Sequence, residues 1–596
     1  MDLKILLLSS DGTEPALGAW KAALDREGVA YDTIIANTAA PIVASTLAVD
    51  ANHARYQAVV LATGGLYQCD ASGCFSALDA SEWAVLNAYQ TQFGVRRVTA
   101  YAYPTPDYGL NWPYSSGDLS GTSGALTAAG LTTFPYLSGT VPMDTGTYGY
   151  YAEPLAAVAP AVPFQTLVAG PVGPGGAASA LVGVNTRADG FQELVITVAM
   201  NRYQLHALLL GHGLINWVTK GVHLGYTRPY LTMHIDDVLL PDDRWDMVDN
   251  KTYEDDGVKN PVIRMLPSDV NRAIAWQTAQ KLQLDLVFNG GGSDEIIADT
   301  TTSFLTKKGV LKIIKGQDVL LNSLKLVKSQ FNWINHTYSH ENLDLLSTAD
   351  IVAQVSKNVT FAINNNIAIN KQELVTGEHS GLANPNMAAA AAQTNLLWLA
   401  ADNSKQPDPY AIGQATTIPR YPSNVYYNVG KFAEQLDEYN YIYFENCVNT
   451  QTTTCLTAPA TWADYINSEA TIMLRHLLLN DPRPHYFHQS NLAEDGTFYP
   501  VIDEVLKRFH SYVNLALVQP KFADSGVILK RATAWQAALP AATAYYKNGY
   551  VYVTSPTTVS APVSGTTNGT LYGGERSIWV SLSAGIKRSF VSAILL

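Results

Sequence analysis

The sequence predicts a multidomain α/β protein. A distorted (β/α) barrel is expected over residues 225–524, a flavodoxin-like α/β domain over 1–97 and 187–224, and a β-sandwich over 98–186. Three observations lead there. Strand-length apolar runs alternate with helix-length amphipathic segments, first over 1–97 and again from 225 onward. Between them, no Lys or Arg occurs from Val98 to Thr186, where Gly, Ser, Thr, Pro and Tyr dominate. A chain of 596 residues is also too long for a single core.

The elements follow in order. Residues 4–9 form a strand, 15–27 an amphipathic helix, 31–35 a second strand, 58–62 a third and 81–93 a helix. This is the βαβ rhythm of an open, largely parallel sheet. No Gly-x-Gly-x-x-Gly follows the first strand, so a support role is preferred to nucleotide binding. Short alternating runs over 98–186 suggest sandwich strands. Their aromatics Tyr108, Trp112, Tyr114, Tyr148, Tyr150 and Tyr151 are candidates for stacking on sugar rings, although any single one more often fills a core. Strands are expected at 230–235, 284–288, 331–335, 372–376, 441–445 and 484–488, with helices at 268–282, 317–329, 348–366, 386–401 and 462–479 between them. That rhythm supports a ring of parallel strands with functional residues at the strands' carboxyl ends. Residues 525–596 read as a small β appendage.

Composition narrows the function. Charged residues make up 15%, against a usual share of roughly 25%. Tyr 33 and Trp 11 are high, which suits an extracellular, sugar-contacting protein. A net charge of -13 argues against a nucleic-acid partner and suits a neutral polymer or one that becomes cationic. The four cysteines form two local pairs, Cys69 with Cys74 and Cys447 with Cys455, expected as disulfides in an oxidising compartment. No segment reaches the roughly 18 apolar residues of a membrane span, and Met1–Leu8 is too short for a signal core. The expectation is a secreted or wall-associated monomer whose leader is not part of this sequence. Asn358 and Asn568 fit glycosylation sequons.

Eleven of the twelve histidines lie between 206 and 510. Thr232-Met233-His234-Ile235 delivers two adjacent carboxylates, Asp236 and Asp237. Phe331-Asn332-Trp333-Ile334 delivers His336 and His340, four residues apart and on one face if the loop turns helically. One carboxylate and two imidazoles make a three-ligand set for a divalent metal with an open position. Adjacent acids on a strand diverge, so they divide labour rather than flank a glycosidic bond. A metallopeptidase reading lacks His-Glu-x-x-His.

These motifs resemble those of the NodB-homology polysaccharide deacetylases: an Asp-Asp at a strand end and His-Ser/Thr-x-x-His, here His336-Thr337-Tyr338-Ser339-His340. The resemblance implies that Asp236 is the base, that Asp237, His336 and His340 hold a metal, most often zinc with cobalt or nickel as alternatives, and that a later His is the acid. Pro484-His485-Tyr486-Phe487-His488 offers two; His488, which closes the apolar run, is preferred. The family's Arg-x-Pro-Tyr, whose Arg orients the base, has two counterparts: Arg420-Tyr421-Pro422, and Gly377-Glu378-His379-Ser380-Gly381 at the expected strand end. Glu378, His379, Ser380, Tyr421 and Asn491 are expected sugar contacts. His-Ile-Asp-Asp, the insertion from Pro241 to Pro261, Gly-Glu-His-Ser-Gly and His-Gln-Ser-Asn resemble the branch of secreted fungal galactosaminogalactan deacetylases. The expected activity is N-deacetylation of an N-acetylhexosamine exopolysaccharide. A peptidoglycan or chitin-type deacetylase and a silent polysaccharide-binding protein are the alternatives.

Overall fold

A computed structural model describes residues 1–70, 73–157, 162–253, 261–305 and 311–596. The insertion Pro241–Pro261 therefore lies partly outside the described residues.

Ile5–Ser9 is buried at every position, as a strand covered on both faces must be. It lies second from the edge of a parallel set. Tyr31–Ile35 pairs on one side; Ala58–Leu61, Arg96–Thr99 and Gln192–Ile196 follow on the other. Such an order arises when crossovers wind outward in both directions from one strand. Helix Pro15–Glu27 starts with Pro at its first position and stops at Gly28, whose φ of 79° is left-handed. Glu14, just before it, binds Ser10 N at 2.6 Å and both neighbouring serine hydroxyls. A carboxylate of the chain thus holds the loop between the first strand and this helix.

Segment 98–186 does not form a separate sandwich. Gln165–Val172, Ala178–Thr186, Ser123–Leu126 and Thr140–Pro142 extend the same sheet to nine strands, antiparallel from Gln192–Ile196 onward. Among the described residues of this segment, the ribbon of Ser115–Asp118 with Tyr148–Tyr151 lies off that sheet. The physical reason is burial: Ala178–Thr186 is covered on both faces from Ser179 to Val184, whereas a sandwich strand buries alternate residues.

The middle of the chain builds two four-stranded sheets. One runs Asn332–Asn335, Asp285–Phe288, Met233–Val238, His485–His488, all parallel. The other holds Glu373–Leu374, Trp398–Asp402 and Ala415–Arg420 in parallel, with Ala411–Ile412 antiparallel at the edge. The sheets touch at both ends. Val375 N donates to Asn335 O at 3.0 Å; Tyr421 N donates to Pro484 O at 2.7 Å, and Tyr486 N to Tyr421 O at 3.1 Å. The seven parallel strands therefore follow one another in a ring of neighbours.

Two expected elements are corrected here. The expected strand at 441–445 is a helical turn continuing helix Phe432–Asn440. The helix expected over 386–401 ends at Thr394, where Asn395 takes a left-handed φ of 56°, and Trp398–Asp402 is a strand.

The C-terminal part begins with a helix rather than strands. Phe522 and Leu529 of helix Phe522–Ala538 pack against Val287, Ile334, Val375, Ala400 and Ile418 in the ring's interior. Ala523 N donates to Glu373 Oε1 at 2.8 Å. Two three-stranded sheets follow, and Leu3 N donates to Ala544 O at 2.9 Å, tying the chain's start to its end.

Both expected disulfides are present, Cys69–Cys74 and Cys447–Cys455. No helix among the described residues is long and apolar enough to cross a membrane. The sequon at Asn358 is not an acceptor site: the residue is fully buried and its side chain bonds Phe288 O, Asn335 Oδ1 and Gly290 N.

His212 is partly buried between Glu27, at 3.1 Å, and Glu575, at 3.2 Å, and so links the first helix to the C-terminal sheets. Burial alone would lower the imidazolium, but the two carboxylates raise it to about 9. A raised pKa stabilises the fold fully below the unfolded value of about 6.5, and the contribution fades as pH climbs to the folded value. That contribution is on the order of 3 kcal/mol. The thermal midpoint should fall between about pH 6.5 and 9, and His212→Gln should flatten that fall. An equal fall in the variant, read by calorimetry, would refute the assignment.

Candidate active site

Met233–Val238 is buried throughout. Alternation sends His234 and Asp236 into the ring and would send Asp237 out. The strand breaks that rule: its register against Asp285–Phe288 shifts between Ile235 and Val238, and Asp237 adopts a φ of 62°. A bulge of this kind re-aims a side chain, and both carboxylates line one cavity of about 600 Å³.

Asp236 meets Arg420, the last residue of Ala415–Arg420, through two parallel bonds. Nη1 donates to Oδ1 and Nη2 to Oδ2, both at 2.8 Å. Burial alone would raise the Asp236 carboxyl; Arg420, with His336, holds it far below the carboxylate range. Arg420 Nη2 also donates to His379 Nε2 at 2.8 Å, and its guanidinium lies 4.4 Å over the Tyr486 ring. Burial, then Arg420, pushes His379 well below its ordinary value, so it stays neutral and accepts.

Asp237 Oδ1 faces His336 Nε2 at 3.1 Å and His340 Nε2 at 3.2 Å. His336 Nδ1 lies 2.9 Å from Val375 O. A carbonyl only accepts, so that nitrogen carries the hydrogen, which leaves Nε2 as the nitrogen that can offer a lone pair to a cation. The His336–His340 loop is not helical. Left-handed Thr337 (φ 65°) and His340 (φ 58°) fold it so that the imidazole centroids lie 4.9 Å apart. Asn289 Nδ2 clamps His336 O at 2.6 Å, and Gln354 Oε1 accepts from Tyr338 N and Ser339 N, each at 3.0 Å. A Cβ on Gly377 would come within 2.8 Å of the His340 ring, so the approach requires glycine there.

The three ligand atoms of Asp237, His336 and His340 all lie within 4.8 Å of one another. Asp237 Oδ1 is buried with no hydrogen-bond partner. A buried carboxylate oxygen without a hydrogen bond, flanked by two imidazole nitrogens, fits a divalent cation.

His488 closes the same cavity, its Nε2 3.9 Å from Asp237 Oδ2. Burial lowers it, against the pull of the two aspartates. His485 faces away, with Nε2 3.0 Å from His476 Nδ1 and its ring stacked on Tyr421. Of the expected sugar contacts, Glu378 and His379 line the cavity. Ser380, Tyr421 and Asn491 do not, because each is committed to a structural bond. Ser380 Oγ donates to Gly377 O at 2.6 Å, Tyr421 Oη to Asp481 at 2.6 Å, and Asn491 Nδ2 to Tyr426 O at 2.6 Å.

The cavity also takes residues that the sequence did not single out: Asp242, Asp402, Lys405, Tyr427 and Tyr486. Asp402 ends a strand that was read as helix, and Tyr486 shares the inward face of His488. Asp242 is buried on Gln489 Nε2, at 2.8 Å, and Ser490 N, at 3.1 Å. Burial and Asp237 raise it well above the carboxylate range.

A site of paired carboxylates and imidazoles at strand ends, above a ring of parallel strands, is set out for hydrolysis. Residues 317–510 match the Agd3 deacetylase domain model, and residues 1–217 match that of Agd3 CBM87. The chain therefore joins an Agd3-type carbohydrate-binding module to an Agd3-type carbohydrate deacetylase domain, of which the motifs led one to expect the second. The crystal structure of Agd3, a novel carbohydrate deacetylase, superposes with a TM-score of 0.80 at 19% identity, covering 100% of this chain and 99% of that one. The Bc1960 peptidoglycan N-acetylglucosamine deacetylase gives 0.25 at 11% identity, over 51% of this chain and 93% of its own. The Streptococcus pyogenes deacetylase PplD gives 0.19 at 10%, over 33% and 92%. No curated protein matches the chain. Asp236 and Asp237 lie outside the matched deacetylase segment; strand pairing brings them to it, Asp236 lying in register with His488.

Arg420 and Asp236 are both nearly fully buried. Arg420→Met should destabilise the protein by about 3–5 kcal/mol, since it strands a buried charge. Adding Asp236→Asn should recover much of that loss in denaturant titrations. Additive losses would show that the two groups do not depend on each other.

Proposed function

We propose that the protein is a metal-dependent N-deacetylase of an N-acetylhexosamine exopolysaccharide, releasing acetate, and that it works outside the cell as a monomer. One observation carries the reading: the two adjacent carboxylates have separate partners. Asp236 is gripped by Arg420, and Asp237 is turned toward His336 and His340. The N-acetylgalactosamine-rich polymer is preferred because His-Ile-Asp-Asp, Gly-Glu-His-Ser-Gly and His-Gln-Ser-Asn resemble the galactosaminogalactan branch. The two disulfides and the carbohydrate-binding module support extracellular work.

Asp237, His336 and His340 would hold the cation, and their nitrogen and oxygen donors suit zinc, with cobalt or nickel as alternatives. The chemistry such a cation supplies is polarisation of an acetyl carbonyl and acidification of a water molecule. Asp236 takes the proton of the attacking water as the base. Arg420 keeps it ionised at every working pH and fixes which lone pairs remain free. Because Arg420 holds it so low, the carboxylate would be a weak base in bulk water; its contribution is orientation at the dry end of the cavity. His488, on the other side of Asp237, is the acid for the departing sugar amine. The two aspartates favour its imidazolium against burial, and the proton it gives to the amine is replaced by the one Asp236 takes from the water. Neutral His379 holds Arg420 in place, and Tyr486 covers the guanidinium.

Asp236→Asn should cut acetate release from N-acetylgalactosamine polymer by about a thousandfold or more, while leaving metal content by plasma mass spectrometry unchanged. His336→Ala should lose both metal and activity. Normal turnover in Asp236→Asn would overturn the assignment of the base. Release from chitin oligomers but not from the galactosamine polymer would move the enzyme to another branch.

A further inference from the structure

One carboxyl group of the cavity has no part in the reaction as derived above. Asp242 lines the cavity and is only 5% exposed. Its Oδ2 accepts from Gln489 Nε2 at 2.8 Å and from Ser490 N at 3.1 Å, which ties it to the two residues that follow His488. The tie is rigid. Gln489 Nε2 also donates to Ile263 O at 2.8 Å, and Met265 N donates to Gln489 Oε1 at 2.7 Å. The backbones of Asp242 and Ile263 exchange both of their bonds, each at 2.8 Å. All the side-chain bonds of Asp242 end on Oδ2, so Oδ1 has no hydrogen-bond partner among the described residues.

Oδ1 is not a ligand of the cation site, whose mutually close atoms come from Asp237, His336 and His340. Nor does a cation of the chain claim it. Of the two that line the cavity, Arg420 is held by Asp236, and Lys405 forms no ion pair with Asp242. Burial and the charge of Asp237 disfavour a bare carboxylate here, and the offsets come from the hydrogen bonds of Gln489 and Ser490. Two other acids of the cavity are committed locally. Asp402 Oδ1 accepts from Ser404 N at 2.8 Å and Ser404 Oγ at 2.7 Å, and Glu378 Oε2 accepts from Asn342 Nδ2 at 2.7 Å. Asp242 is thus a buried, fixed acceptor that lacks a positive partner.

The reaction supplies that partner. Hydrolysis breaks the amide C–N bond and joins the water oxygen to the acetyl carbon. At neutral pH one amide and one water become one acetate and one ammonium, so a positive charge appears on a sugar that had none. It appears at the nitrogen that His488 protonates, and Asp242 is bonded to the residues next to His488. The substrate nitrogen offers a single N–H without charge, whereas the ammonium offers three charged donors.

We propose that Asp242 is the acceptor for the ammonium of the deacetylated hexosamine, so that the cavity binds sugar units carrying a free amine more tightly than uncharged ones. The proposal rests on reading the protein as a polysaccharide deacetylase. The probes are a galactosamine oligomer and a galactose oligomer of equal length, each titrated calorimetrically into the full-length chain. The amine form should bind about tenfold more tightly. Asp242→Asn should remove that preference; asparagine keeps an oxygen for Gln489 and Ser490 to bond. The galactosamine oligomer should also inhibit acetate release, about tenfold less in Asp242→Asn, while inhibition by acetate stays within about twofold. Equal affinity of the unaltered chain for the two oligomers would overturn the proposal, whether or not the variant folds. So would an amine preference that survives in Asp242→Asn. An Asp242-dependent amine preference in a chain that releases no acetate from any N-acetylated polymer would sustain the ammonium site and sink the deacetylase reading instead.

Discussion

The Asp236–Arg420 ion pair is where the fold and the chemistry depend on each other. Asp236 belongs to one four-stranded sheet and Arg420 to the other, and beside Arg420 those sheets join by two backbone bonds at Tyr421. A buried pair repays its desolvation only with good geometry and with its remaining donors satisfied. Both conditions hold. Two bonds of 2.8 Å join the groups, His379 accepts from Nη2, and Tyr486 supplies a ring face. His379 can do this only as a neutral ring, so the cationic guanidinium sets the protonation of its neighbour as well as of its partner.

Around this pair the backbone stores strain. Asp237, Leu239, Thr337, His340, Glu378 and His379 all take left-handed φ. Each costs on the order of 1 kcal/mol or more relative to ordinary backbone. A buried amide network offsets the cost. Asn358 bonds Phe288 O and Asn335 Oδ1, Asn335 Oδ1 accepts from Thr337 N, and Asn289 holds His336 O. The sequence shows these residues only as unremarkable amides, and one of them as a false sequon. Their work is to hold a loop that no helical spacing describes.

The same contrast separates what was legible from what was not. Apolar strands ending in Asp236-Asp237 and in His336 announced themselves, because strand, end and chemistry are contiguous. Arg420 stayed one of two candidates because its strand and the preceding one were hidden. The Ala-rich run at 387–392 reads as a long helix, and nothing local says that Asn395 will turn left-handed. The β-prone Tyr441–Glu445 took the vacant strand in the reading, although it continues a helix. Strand partners were also illegible. Tyr and Gly alternation over 98–186 indicates strands but not which edge they join, so one sheet of nine looked like a sheet and a sandwich. Tyr421, Ser380 and Asn491 sit beside the right motifs, yet hydrogen bonds invisible in the sequence claim them.

The ring's interior explains why the charges at its mouth must be paired. Two residues below Asn289, His336, Gly377, Asp402 and Arg420 lie Val287, Ile334, Val375, Ala400 and Ile418, inward by strand alternation and buried together against Phe522. Water reaches the site from the cavity side, and below it lies a dry layer of low dielectric. His234, two residues below Asp236, is the polar member of that layer. It is fully buried, with both nitrogens unpartnered and Nε2 3.6 Å from Asp285. Burial, aided by Arg420, lowers His234 to about 3, and burial raises Asp285 to about 7. Both groups move toward neutrality rather than toward an ion pair. A neutral imidazole here adds no charge beneath Asp236, so the groups that hold the carboxylate down are those at the ring's mouth, Arg420 first and then His336.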